Sequence, residues 1–119
     1  MQCEKQKGLK RLISSTNNSL AGFIDAFLTE SAFRQLVIIN AVLLIIALSL
    51  DITKVERLFL VACSFLLLVV ELLNTAIESA VDRISLDWHP LSKRAKDIAG
   101  SAQLVTVVMT ILIWMIVLF

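Results

Sequence analysis

Three apolar runs, Phe33 to Leu50, Leu58 to Ile77 and Ile98 to Phe119, occupy most of this 119-residue chain, and each is near the length a helix needs to cross a bilayer. With 58% hydrophobic residues, a soluble domain of this size would carry more apolar surface than any core it could build. The bilayer must therefore serve as solvent, and the expected fold is an all-α integral membrane protein. Net charge is only +1, so bulk electrostatics call for no polyanion and nucleic acid is not an expected partner.

The chain reads as a single membrane domain, 1–119, with a surface helix over about 8–30 and spans over about 32–50, 58–78 and 98–119. Leu9, Leu12, Ile13, Leu20, Phe23, Ile24, Phe27 and Leu28 recur at helical spacing against a polar face, the pattern of a helix lying in the membrane surface. Residues 1–7 are expected to fray, and Asn17-Asn18-Ser19 is the expected bend. In span one, Arg34 is expected to reach for the headgroups and Asn40 to face another helix. Asp51 to Arg57 reads as a polar connection, Ser85 to Pro90 as a break, and Ser92 to Asp97 as a charged turn or first helical turn.

Of the 11 Lys and Arg, five lie before span one or, as Arg34, in its first turn, two lie between spans one and two, and four between spans two and three. The positive-inside rule then puts the N-terminus and the segment from Arg83 to Lys96 in the cytoplasm. Cys3 and Cys63 lack a Cys-x-x-Cys or His companion and read as incidental, and the N-terminus has no apolar block of the signal-peptide kind.

Span two ends in a sequence that puts charge where lipid should be: Glu71-Leu-Leu-Asn74-Thr-Ala-Ile-Glu78, then Asp82. At about 100° per residue Glu71, Asn74, Glu78 and Asp82 share one narrow helical face, and Glu78 lies roughly 10 Å along the axis from Glu71. Ionisable groups in a membrane helix are costly and call for a functional explanation. One carboxylate is thus held deeper in the bilayer and the other nearer water.

Carboxylates at a cytoplasmic boundary suit Mg²⁺, which takes oxygen ligands and usually joins one or two carboxylates to a substrate phosphate. Glu78 with Glu30 makes such a pair, and Arg11, Arg83, Lys93, Arg94 and Lys96 are candidates to neutralise a polyphosphate. No glycine-rich phosphate loop exists, so a nucleotide would be held by metal and side chains. His89 is a candidate adenine or phosphate neighbour, or else a surface residue. The same glutamates would also serve as ion ligands in a non-enzymatic channel or transporter subunit, or as a hydrogen-bonded seam that only assembles subunits.

Glu71-Leu-Leu-Asn74-Thr-Ala-Ile-Glu78, Val81-Asp82-Arg83, His89-Pro-Leu-Ser, Arg94-Ala-Lys96-Asp97 and Glu30-Ser-Ala-Phe-Arg-Gln35 together resemble the prokaryotic diacylglycerol kinase family of small membrane kinases, over nearly the whole chain. The resemblance implies a homotrimer with three spans and a surface helix per subunit, in the bacterial inner membrane with its active site cytoplasmic. It implies transfer of the γ-phosphate of Mg-ATP to diacylglycerol, with phosphatidic acid as product. It assigns Glu71 as the catalytic carboxylate and Glu30 and Glu78 as holders of the metal. Arg11, Asn18, Glu30, Glu78, Asp87, Trp88, His89, Lys96 and Asp97 match positions at the nucleotide. Arg11, Ser19, Ala32, Phe33, Arg34, Gln35, Asp51, Arg57, Glu71, Gly100 and Trp114 match positions at the lipid site or its approach, and Asn74 and Asp82 support the active site.

The chain departs from the family pattern at Leu36, where a glutamate is usual, near Asn18, where a tyrosine is replaced, and at Gly100, where a serine is usual. A sister branch that phosphorylates undecaprenol shares Glu-Leu-Leu-Asn-Thr and His-Pro-Leu. The Ala-Phe-Arg-Gln and Asp-Arg-Ile-Ser runs of this chain favour the diacylglycerol branch.

Overall fold

The computed structural model describes residues 7–119, so Cys3 and most of the N-terminal stretch expected to fray lie outside the described residues. Those described form four helices: α1 Gly8–Thr29, α2 Ser31–Ser49, α3 Lys54–Ile84 and α4 Pro90–Leu118. The last three are long and apolar enough to cross a bilayer, and they make this a multi-pass membrane protein. At about 1.5 Å per residue the 31 residues of α3 run roughly 46 Å, against about 30 Å of hydrocarbon, so its polar end emerges into water.

The bend expected at Asn17-Asn18-Ser19 is absent: α1 is continuous through it. Asn disfavours a helix by only tenths of a kcal/mol, and the α1 residues beyond it are held by packing, with Ala26 buried and the Phe23 ring set edge-on to Phe33 of α2 at 5.2 Å. The break comes instead at Glu30, whose backbone is extended. Its N–H donates to the Ala26 carbonyl at 2.9 Å and its carbonyl accepts from Arg34 at 3.1 Å, so one residue closes α1 and opens α2. No cap bond engages its side chain, which leaves the carboxylate available.

Arg34 folds back on the end of α1. Half-buried, its Nη1 donates to the carbonyls of Phe27 and Leu28 at 3.0 and 3.2 Å, because the last turn of α1 leaves these acceptors without helical partners. Arg57 does the same for α2, donating to Ala47 at 2.7 Å and to Ile52 at 3.3 Å.

The polar connection is also shorter than expected, because α3 starts at Lys54. Thr53 and Glu56 form a reciprocal capping box: Glu56 N–H donates to the Thr53 hydroxyl at 3.2 Å, and Thr53 N–H to the Glu56 carboxylate at 3.1 Å. Thr53→Ala should destabilise the helical bundle by about 1 kcal/mol, read as a lower unfolding midpoint in detergent at unchanged activity. His89 caps α4, its Nδ1 accepting from Leu91 N–H at 3.1 Å, with Pro90 in the first turn.

Helix α3 is the hub, packed most extensively on α4, then on α2, with α1 across both. The seams hold small or polar residues as much as large ones: Ala47, Ala99, Cys63, Ser64, Asn40, Thr106 and Thr110 are all buried. Asn40 faces inward, but it donates to the Leu36 carbonyl of its own helix at 2.9 Å.

Candidate functional site

The polar stripe of α3 is bonded to α4 at both of its ends. Glu71, Asn74 and Glu78 are half-buried, and Asp82 is exposed where α3 leaves the apolar zone. Each has a partner. Glu71 Oε2 accepts from Gln103 Nε2 of α4 at 3.2 Å, and the same nitrogen donates to the Leu67 carbonyl at 3.3 Å. Asn74 Nδ2 lies 3.4 Å from Glu78 Oε1, and Asp82 Oδ1 accepts from Lys96 Nζ at 2.7 Å.

The stripe is thus a ladder, with an amide clamp at its deep rung and an ion pair at its shallow one. Glu30 and Glu78 are close enough to Glu71 for the three charges to interact, although they come from the α1–α2 junction and one flank of α3. Lys96 precedes the apolar stretch of α4, and its ammonium is held above the ordinary value first by the hydrogen bond to Asp82. Lys93 and Asp97 pair at 2.6 Å on the water-exposed first turns of α4.

At the ladder's polar end a cavity of about 360 Å³ is lined by Asp82, Asp87, Trp88, His89, Lys96 and Asp97, among others. It gathers most of the residues assigned to the nucleotide. Because His89 Nδ1 caps α4, only the other ring nitrogen is left for a ligand. A larger cavity, about 710 Å³, separates α1 from α3 and is lined by Ser19, Phe23 and Asp25 on one side and Leu72, Thr75 and Ser79 on the other. Arg11 and Asn18 lie exposed on α1.

Residues assigned to the lipid divide between the two ends of the bundle. Ala32, Phe33, Arg34 and Gln35 follow Glu30 directly, with Phe33 fully buried, and Gly100 is exposed on α4 one turn before Gln103. Asp51 and Arg57 lie at the opposite end; Arg57 is fourteen residues from Glu71, about 21 Å along the same helix. Trp114 also lies towards that end, its indole N–H buried without an acceptor. One chain does not bring this set together.

Gln103 was not among the sequence candidates. Its signal was an amide placed alone in the third apolar run, seven residues past Lys96 and so on nearly the same face. Two side-chain oxygens beside the stripe, Asn74 Oδ1 and Gln103 Oε1, are buried without a donor. Among the described residues no three His, Cys, Asp or Glu converge as a metal cluster. A carboxylate pair that shares a cation with a phosphate needs only two.

The chain is similar to known proteins over nearly its whole length. The profile of the prokaryotic diacylglycerol kinase family matches residues 17–118. A diacylglycerol kinase of Pseudomonas aeruginosa is 50% identical over 113 residues, covering 95% of this chain and 92% of the relative. That of Escherichia coli K12 is 37% identical over 94% of this chain and 92% of its own length, and that of Helicobacter pylori 26695 is 43% identical over 92% and 86%.

Proposed function

The chain belongs to the prokaryotic diacylglycerol kinase family, and from that premise we propose that it transfers the γ-phosphate of ATP to the free hydroxyl of 1,2-diacylglycerol, giving phosphatidic acid for phospholipid recycling. The observation that carries the residue assignments is the unequal depth of two half-buried carboxylates on one flank of α3, the deeper one clamped by Gln103.

Diacylglycerol presents its hydroxyl at headgroup depth and ATP arrives from water, so the membrane boundary is where the two meet. Glu71 takes the hydroxyl proton as that oxygen attacks the γ-phosphorus in line. The bond from γ-phosphorus to the bridging oxygen breaks and ADP departs with the electron pair. Glu78 and Glu30 fit Mg²⁺ bound with ATP, which when present would offset phosphate charge. Lys96, pinned by Asp82, lines the 360 Å³ cavity, where its remaining N–H groups would meet phosphate oxygens. Asn74, between the two carboxylates, donates to Glu78 at 3.4 Å from the Glu71 side.

The same reading places the protein in the bacterial inner membrane, α1 along the surface, the N-terminus and the site cytoplasmic. What supports this orientation is the bias of Lys and Arg to those segments. It makes the assembly a homotrimer. A half-exposed Glu71 on a spanning helix, and a lipid set split between the ends of one chain, are both better served when neighbouring subunits cover and complete the site.

Incubating the purified protein with γ-labelled ATP and a mixture of diacylglycerol and undecaprenol tests the activity. Label in phosphatidic acid is expected; label only in undecaprenyl phosphate would transfer the protein to the sister activity, and label in neither would return the glutamates to an ion-conducting or assembly role.

A further inference from the structure

Gln103 touches the reacting end of the stripe without being able to exchange a proton there. An unbranched amide in a membrane span loses side-chain freedom when ordered and brings polar atoms into an apolar zone, so its retention needs a return. Here the amide is oriented entirely by its donors. Nε2 bonds to the Leu67 carbonyl at 3.3 Å and to Glu71 Oε2 at 3.2 Å, while Oε1 stays buried with no donor.

Two N–H groups on one planar nitrogen, one anchored on backbone and the other aimed at a carboxylate one turn further on, form a bracket. The bracket also distinguishes the carboxylate's two oxygens. Oε2 is occupied by an N–H, which leaves Oε1 as the oxygen to receive a proton. We infer that Gln103 is a positioning residue for Glu71, its amide braced on the Leu67 carbonyl and holding the carboxylate with Oε1 turned to the acceptor hydroxyl. The inference rests on the reading of Glu71 as the base. The orphaned Oε1 of Gln103 is the mark of that arrangement: a side chain serving only to tie α3 to α4 would gain by satisfying it.

The test uses the full chain in lipid bilayers, with Gln103→Met, which matches the length and has no donor, and Gln103→Asn. The latter keeps an amide in the span but, one methylene shorter, does not bridge from Leu67 to Glu71. Binding of an ATP analogue certifies that each preparation is folded; should the Met variant fail it, the Asn variant carries the test. Both should lose kcat by about ten- to hundredfold while KM for ATP and for diacylglycerol stays within about twofold, as expected when what is lost is the orientation of the base and not substrate binding. The acid limb of the kcat–pH profile should be displaced in both. Unchanged kcat, or a fall with proportionate change in both KM values and an undisplaced profile, overturns the inference. Glu71→Gln is assayed in parallel: full turnover in that variant defeats the reading of Glu71 itself, whereas lost turnover there with full turnover in both Gln103 variants defeats only the role of Gln103.

Discussion

Replacing Glu71 by Gln should lower turnover by about 10²- to 10⁴-fold while leaving affinity for ATP within about twofold of the parent protein. The substitution is nearly isosteric, and an amide oxygen at the Oε2 position still accepts from Gln103 Nε2, so the α3–α4 contact survives. What disappears is basicity at a carboxylate set about 10 Å deeper than Glu78, too deep to share its ligands directly. Direct titration with a non-hydrolysable ATP analogue, beside initial rates at saturating diacylglycerol, separates the two quantities. If affinity and turnover fall together, Glu71 belongs to the metal and nucleotide set, and the proton must leave by another route.

Where charge interrupts a run of apolar residues, the sequence speaks plainly, because hydrocarbon admits a carboxylate only at a cost that some partner or purpose must offset. Glu71, Asn74, Glu78 and Asp82 could be assigned to one face from spacing alone, and the partners of all four follow that face. The identity of those partners was not legible, since which residue of α4 stands level with Glu71 depends on how far the loop over 85–89 lets α4 slide along α3. Gln103 and Lys96 are set by that register. The start of α3 was legible in principle: Thr-Lys-Val-Glu ahead of an apolar run is a capping box, obscured by the charges around it, which read as a loop. Arg34 and Arg57 escaped for the opposite reason. Near a membrane boundary an arginine has two ways to be satisfied, headgroups or the open carbonyls of a helix end, and only the positions of Phe27, Leu28 and Ala47 decide between them. Asn17-Asn18-Ser19 looked like a bend because local propensity counts against it, whereas packing of α1 residues beyond it, Phe23 and Ala26, outweighs a few tenths of a kcal/mol per residue.

Glu78→Gln should produce the complementary failure: KM for Mg-ATP raised by about ten- to hundredfold, with kcat at saturation within a few-fold of the parent, and part of the loss regained at high Mg²⁺. Glu78 is half-buried near the emerging end of α3, its charge within range of Lys96, and its one side-chain bond, 3.4 Å from Asn74, is long enough to be surrendered to a better ligand. A neutral amide keeps that contact, so the helix and its stripe remain intact. It forfeits a full negative charge among hard oxygen donors, which weakens capture of a dication far more than it disturbs a proton transfer about 10 Å away. Initial-rate surfaces over ATP and Mg²⁺ for the two variants should therefore differ in kind, the Glu71 variant flat in Mg²⁺ and low everywhere, the Glu78 variant climbing with it. A Glu78→Gln protein with unaltered Mg²⁺ dependence and a kcat as low as that of Glu71→Gln would show that the two carboxylates share one task, and that their difference in depth carries no division of roles.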